Sequence, residues 1–278
     1  MLDGQTLADT VKEQLQEQVA AMAIVPGLGT ILVGNDPGSE SYVGAKIRDC
    51  AEVGINSIHE HLPHDTDQAT LEATIQRFNN DAAVHAFIVQ LPLPPQLDEE
   101  RALLAVSPIK DADGLHPLNL GRLVMGAQGP VPCTPRGIQV MFEHYGVQVE
   151  GKHVVVIGRG LTIGRPLALL MALKRPTANA AVTVVHTGVP DMGLYTRQAD
   201  IVVAAAGVPN LVTPDIIKPG AAVVGAGITR DGKRILSDVD ESVASVAGWV
   251  TPRLGGVGPM TRAMLLRNTV DAAVASAR

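Results

Sequence analysis

The stretch His153-Val154-Val155-Val156-Ile157-Gly158-Arg159-Gly160-Leu161-Thr162-Ile163-Gly164-Arg165-Pro166 decides the fold. A run of β-branched residues stops at a glycine, and three glycines spaced G-x-G-x-x-x-G lead into the helix-forming run RPLALLMAL. A strand, a glycine turn and a helix in that order open a βαβ unit. The glycines let the backbone approach a ligand, and the helix offers free N–H groups and a favourable dipole to an anion. Gly158, Arg159, Gly160 and Gly164 are therefore a candidate phosphate cradle. The spacing is one residue longer than the standard dinucleotide fingerprint, and glycine turns at this place also serve packing, so the loop alone leaves both readings open.

The next strand sharpens it. An NAD-binding chain usually ends that strand on Asp or Glu, which bonds the ribose 2′-hydroxyl. Here AVTVVHTG ends on His186 and Thr187. No carboxylate would repel a 2′-phosphate, and Arg159 can make charge-assisted bonds to one, so NADP is favoured over NAD.

Working outward, strands are expected over 152–157, 181–186, 201–206 and 221–226, with helices to about 174 and near 194. The other half alternates in the same way: a helix over 7–23, a strand over 28–35, a helix capped by Ser39 and stopped by Gly54, a strand over 55–61, a helix over 66–79, a strand over 84–91 and a short helix from Asp98. Strands separated by helices imply right-handed crossovers and largely parallel sheets, with function at the strand carboxyl ends. The fold class is α/β in two domains, the second Rossmann-like, with a boundary near 121–135 and a last helix that returns to the first domain.

Composition narrows the function classes. Of 278 residues 46% are hydrophobic, enough to bury a core, while aromatics at 3% and a net charge of −6 speak against a nucleic-acid partner. Cys50 and Cys133 have neither metal-ligand spacing nor a disulfide framework, and no apolar run reaches the roughly 20 residues that span a bilayer. A cytoplasmic protein without membrane partner is expected. His59, Glu60, His61 and His64 lack the helical zinc spacing, so no metal site is assigned.

Tyr42 and Lys46 stand four apart on the Ser39 helix and share a face, with Val43, Ile47 and Cys50 read as the stripe that packs inward. Three more segments fall where a parallel sheet puts its active edge: Val89-Gln90-Leu91-Pro92-Leu93-Pro94, the acidic loop Lys110-Asp111-Ala112-Asp113-Gly114, and the glycine-rich Gly255-Gly256-Val257-Gly258-Pro259-Met260-Thr261. A Tyr-x-x-x-Lys pair also occurs in short-chain dehydrogenases, but there it follows the glycine loop, whereas here it stands far upstream of Gly158.

Taken in order, Tyr42-x-x-x-Lys46, VQLPLP, KDADG, PCTP, the GR loop and GGVGPMT resemble the methylenetetrahydrofolate dehydrogenase/cyclohydrolase family over nearly the whole chain. The resemblance implies a catalytic set of Lys46, Tyr42, Gln90 and Asp113, with Tyr42 packing on folate, Gln90 bonded to Lys46 and Asp113 anchoring the pterin amino group. It adds Leu91, Gly256 and Pro259 to the folate contacts, and Thr187 and Ile228 to the NADP contacts made by the glycine loop and Arg159. It implies a folate-binding catalytic domain over 1–121 plus 260–278, an NADP-binding domain over 122–259, and a homodimer. A lysine working near neutral pH needs partial burial and neutral hydrogen-bond partners, and Gln90 is such a partner. Two departures stand in the cofactor half: Gly225-Ala226-Gly227 where the family usually reads Asp-Val-Gly, and Leu254 where it reads Pro. They predict a hydride-transfer step weakened relative to the cyclohydrolase step.

Overall fold

A computed structural model describes residues 1–232 and 234–277. Its elements run α1 (Gly4–Ala20), β1 (Gly27–Val33), α2 (Pro37–Val53), β2 (Asn56–Leu62), α3 (Gln68–Asn80), β3 (Ala86–Val89), α4 (Glu99–Ala105), α5 (Pro117–Met125), α6 (Cys133–His144), β4 (His153–Ile157), α7 (Gly164–Ala172), β5 (Ala181–Val185), α8 (Gly193–Thr196), β6 (Ile201–Ala204), β7 (Ala222–Gly225), β8 (Ile228–Asp231), β9 (Arg234–Ser237), β10 (Trp249–Val250) and α9 (Val257–Ser276). None of the described helices is long and apolar enough to cross a membrane. The chain divides into two compact units.

One unit comprises Asp9–Arg122, Ala127–Val131 and Arg262–Arg278. Its three strands are parallel in the order β2-β1-β3, and every residue of the central β1 is buried, as a strand covered on both faces requires. Gly29 lies against Phe78 and Phe87, so close that a Cβ there would come within 2.7 Å of each. The two rings pack 5.5 Å apart and, with Ile31, Leu71, Ile75 and Val89, form the core under the sheet. Each such side chain contributes about 1.5–3 kcal/mol by leaving water.

Helix α2 starts earlier than expected. Asp36, not Ser39, is its cap: the Asp36 carboxylate accepts the Ser39 N–H at 2.8 Å, and Pro37 takes the first helical position, where a missing N–H costs nothing. Gly54 ends the helix at φ 86°, as expected. The last helix returns as the sequence suggested: Arg262 pairs with Asp49 at 2.6 Å, and Asn268 donates to the carbonyls of Ala112 at 2.9 Å and Val131 at 3.2 Å.

The acidic loop is stitched onto β3. Phe87 donates its N–H to the Lys110 carbonyl at 2.8 Å, and Ala112 donates to the Phe87 carbonyl at 3.2 Å. Asp111 is buried, and its carboxylate accepts from the N–H groups of Gly114 (3.0 Å), Leu115 (3.3 Å) and His116 (2.8 Å) and from Asn119 Nδ2 (2.9 Å). Asp111 is the staple of the loop, not a solvated turn residue.

The other unit comprises Met1–Ala8, Leu123–Gly126 and Pro132–Thr261. The first eight residues belong here because Leu2 is fully buried and its N–H bonds the Val250 carbonyl at 2.8 Å. Five parallel strands run β10-β7-β6-β4-β5; β6 and, past His153, β4 are built of buried valine, isoleucine and alanine. The chain leaves β4 first toward β5 and then returns to β6 on its other side. That reversal makes the carboxyl end of β4 the topological switch point, where such sheets bind their ligands. The antiparallel hairpin β8–β9, the short β10 and helix α5 were not foreseen; none shows a long enough periodic run.

Asp111→Ala would leave up to four donors without their acceptor. It is expected to lower the unfolding free energy by about 3 kcal/mol in urea titration, given roughly 1–3 kcal/mol per buried donor left unmatched. A loss under about 0.5 kcal/mol, the scale of ordinary surface changes, would disprove the staple.

Candidate active site

At the carboxyl end of the three-stranded sheet, Lys46 of α2 is only 5% exposed. The inward stripe of α2 is Val43, Lys46, Cys50 and Val53, while Ile47, expected inside, is 39% exposed. The helix is thus rotated from the hydropathy reading, because an amine that finds partners is tolerated inside. Lys46 Nζ donates to Gln90 Oε1 at 2.9 Å and lies 4.8 Å from the centre of the half-buried Tyr42 ring.

Gln90 is fixed from three sides. It follows the last residue of β3, its own N–H bonds the Ile31 carbonyl at 2.9 Å, and its Nε2 donates to the Leu91 carbonyl at 2.6 Å. With Nε2 committed to a carbonyl, only Oε1 can face the lysine. A neutral amide oxygen accepts from the amine whether or not it carries its extra proton. Asp49, one turn on and also buried, is engaged by Arg262 and, at 3.8 Å, by Lys12. Burial pushes the neighbouring Cys50 thiol up to about 12, so it stays protonated and is no nucleophile.

Leu91 and Asp113 are half-buried. Phe87 pairs with Asp111, so Asp113 lies two residues further along, in the direction β3 takes toward Gln90. The structure thus joins Tyr42, Lys46 and Gln90 directly and anchors the Asp113 loop to the same strand. Gly256 and Pro259, also implied as folate contacts, are counted with the other unit: Gly256 is buried against the Pro252 carbonyl, and Pro259 is half-buried in the first turn of α9.

In that unit the glycines of the cradle separate by role. Gly158 has φ 114° and would overlap the Ala205 carbonyl oxygen if it carried a Cβ; Gly164 would overlap the Gly158 oxygen. Packing accounts for both. A Cβ on Gly160 would meet nothing within 4 Å, and no positive φ demands glycine there, so nothing within the described protein explains it. The first turn of α7 receives no side-chain cap from Ile163; Pro166 has no N–H, and the Arg165 N–H already bonds the Gly160 carbonyl at 3.2 Å, so the Gly164 N–H is the one this turn offers a ligand.

Arg159 is exposed, with Nη1 3.2 Å from His186 Nε2. His186 Nδ1 faces the Gly188 N–H at 3.0 Å and acts as acceptor there. In the neutral ring the proton then sits on Nε2, so two donors point at each other. A shared acceptor, an anion above all, would reconcile them. Thr187 is exposed beside them, and Ile228, 56% exposed, opens the β8–β9 hairpin. On β2 the His59 and His61 rings stand 6.1 Å apart, but His61 Nε2 is taken by the Gly34 carbonyl at 2.7 Å. Among the described residues no three His, Cys, Asp or Glu side chains group as a metal site.

The family of the chain is settled by comparison. A model of the tetrahydrofolate dehydrogenase/cyclohydrolase catalytic domain matches residues 2–113, and the NAD(P)-binding domain model of the same family matches residues 132–277. The chain belongs to the tetrahydrofolate dehydrogenase/cyclohydrolase family. It is 56% identical to the bifunctional protein FolD of Syntrophotalea carbinolica, over 100% of this chain and 97% of the relative. Its fold superposes on the bifunctional FolD of Campylobacter jejuni with a TM-score of 0.94 at 42% identity, covering 99% of this chain and 98% of that one. The Trypanosoma brucei FolD, solved with NADP cofactor and inhibitor, gives 0.93 at 39% identity, covering 99% and 97%.

Against the family pattern, the space beside Gly225 is not empty. Ser237 Oγ occupies it, accepts the Val239 N–H at 3.1 Å and would overlap any Cβ at position 225, while the Gly225 N–H bonds Thr251 Oγ1 at 2.9 Å. Leu254 is 57% exposed. Restoring an aspartate therefore requires Ser237 to turn its hydroxyl away, breaking its bond from the Val239 N–H, or to be removed. Gly225→Asp alone is expected to destabilise the protein by about 1–3 kcal/mol through overpacking, and adding Ser237→Gly should recover most of that in thermal unfolding. Equal Tm values for the single variant and the parent would show that Ser237 yields freely.

Proposed function

We propose that the chain oxidises 5,10-methylenetetrahydrofolate with NADP to the 5,10-methenyl form and then hydrolyses that product to 10-formyltetrahydrofolate. One folate site, with Tyr42, Lys46, Gln90 and Asp113 on the Asp9–Arg122 segment, serves both reactions, and the unit that carries the glycine loop holds the cofactor. The observation that carries the reading is the buried Lys46 amine held at 2.9 Å by a neutral amide beside an aromatic ring. That arrangement suits proton transfer next to a flat heterocycle. Family membership supplies the substrate class.

The cradle suits the cofactor. Gly160 leaves open space where a diphosphate would approach, and the donors of Arg159 and His186 converge as a 2′-phosphate would need. When bound, NADP supplies the hydride acceptor. Tyr42 packs on the folate ring, Asp113 accepts from the pterin amino group, and Gln90 aims the Lys46 amine. In the second step water adds to the methenyl carbon, the bond to N5 breaks, the formyl group remains on N10 and one proton is released. Lys46 is the group placed to carry that proton. Leu91 adds to the folate contacts, and Thr187 and Ile228 to those of the cofactor. A cytoplasmic homodimer fits this reading, as the family resemblance implies.

Lys46→Met should abolish hydrolysis of methenyltetrahydrofolate while NADP still binds, since lysine and cradle belong to different units. Hydrolysis at the parent rate, followed by loss of the methenyl absorbance, would remove Lys46 from the mechanism. Arg159→Ala should raise the NADP KM roughly tenfold or more, because a hydrogen bond to a charged group is worth about 1.5–3 kcal/mol, and should leave the NAD KM nearly unchanged. Equal loss for both cofactors would rule out a 2′-phosphate contact.

A further inference from the structure

The carboxylate of Asp238 is the one buried side-chain group among the described residues with an unmatched oxygen. Asp238 has no solvent exposure, and its Oδ2 accepts the N–H groups of Ala206 at 2.7 Å and Gly207 at 3.0 Å, while Oδ1 accepts nothing. Gly227 lies so close that a Cβ there would come within 2.7 Å of Oδ1 and nearer still to Oδ2. A buried carboxylate kept half-matched is not what stability alone selects, since apolar replacements of buried charge are often neutral or better.

Its two hydrogen bonds join segments that border the cradle. The loop 205–207 leaves the carboxyl end of β6; the Ala205 N–H bonds the Ile157 carbonyl at 2.7 Å, and the Ala205 oxygen is what forces glycine at position 158. Across the loop stands the β8–β9 hairpin, opened by Ile228 and closed by its partner Ser237, and Asp238 follows directly after it. Thr229 Oγ1 adds a 2.9 Å bond to the Gly207 carbonyl, the Asn210 N–H bonds the Ser237 carbonyl at 2.9 Å, and the Ala226 and Gly227 N–H groups share the Ala204 carbonyl at 2.8 and 2.9 Å. The glycine loop follows β4, and β6 and β7 are the next strands across the sheet. A dinucleotide with its diphosphate on the glycine loop and its adenosine phosphate at Arg159 and His186, beyond β5, extends its nicotinamide toward the carboxyl ends of β6 and β7.

We propose that Asp238 is a positioning residue for hydride transfer: its carboxylate clamps the 205–207 loop to the β8–β9 hairpin and so sets Gly207 and Ile228 as the wall against which the nicotinamide end of the cofactor rests. The proposal rests on the NADP-dependent oxidation inferred above. Asp238 touches neither substrate nor cofactor. Loss of the clamp displaces the wall, and a misplacement of about 1 Å is enough for a hundredfold change in rate. The cyclohydrolase step transfers no hydride and does not depend on that wall.

The test measures both activities and NADP binding in the full-length protein. In Asp238→Ala the dehydrogenase kcat is expected to fall by about tenfold or more, with the NADP KM within about threefold and cyclohydrolase turnover unchanged. Asp238→Asn keeps an oxygen that can accept both N–H groups, so it should return kcat to within about threefold of the parent. Thr229→Val removes one bond to the same loop and leaves the buried carboxylate in place. It should lower dehydrogenase kcat by about two- to fivefold, and it decides the matter if Asp238→Ala does not fold. Parent-like kcat in Asp238→Ala or in Thr229→Val, a parallel loss of both activities, or no rescue by asparagine would overturn the proposal. A parent protein that binds folate yet oxidises nothing with NADP would overturn the function beneath it instead.

Discussion

An amine that is 5% exposed must have a partner, and the 2.9 Å hydrogen bond between Lys46 and Gln90 is the constraint around which the three-stranded half is arranged. For that bond to exist, α2 must turn Lys46 into its buried stripe, which puts Ile47 outside. Gln90 must sit just past the end of β3 with its amide oriented by the Leu91 carbonyl. The same strand carries the acidic loop on Phe87, and Asp111 holds that loop shut, so a single strand sets the places of Gln90 and the Asp113 loop together. Rigidity here comes from backbone groups, the neutral Gln90 amide and the buried Asp111 carboxylate, not from ion pairs on the surface, whose contribution is small.

The cofactor half solves a different problem, bringing backbone close to an anion. Gly158 and Gly164 are glycines because protein packs against them; Gly160 is glycine with open space beside it. The distinction separates a fold requirement from a ligand requirement within one short motif. In the same half, Ser237 Oγ fills the space beside Gly225, so the departure from the family pattern at position 225 leaves no hole. That weakens the inference that this departure alone impairs hydride transfer: the volume is filled, although the charge of the missing carboxylate is not replaced.

Much was legible in the sequence because its signals are local. Period and punctuation marked the parallel βα alternation, the left-handed stop at Gly54 and the uncapped glycine-to-helix turn at Gly164, and the ordered motifs from Tyr42 to Thr261 carried the family. The Lys46–Gln90 bond itself was implied by that resemblance. The tertiary structure alone decided the rest, because each remaining feature depends on what lies across space. Hydropathy placed Ile47 inside and Lys46 outside, and only the amide arriving from β3 reverses them. Two acids of one loop look alike in sequence, yet Asp111 is buried, with four donors on its carboxylate, and Asp113 is half-buried. No sequence motif marks Asp238; the N–H groups of Ala206 and Gly207 come to it across a crossover between strands that no window of sequence contains.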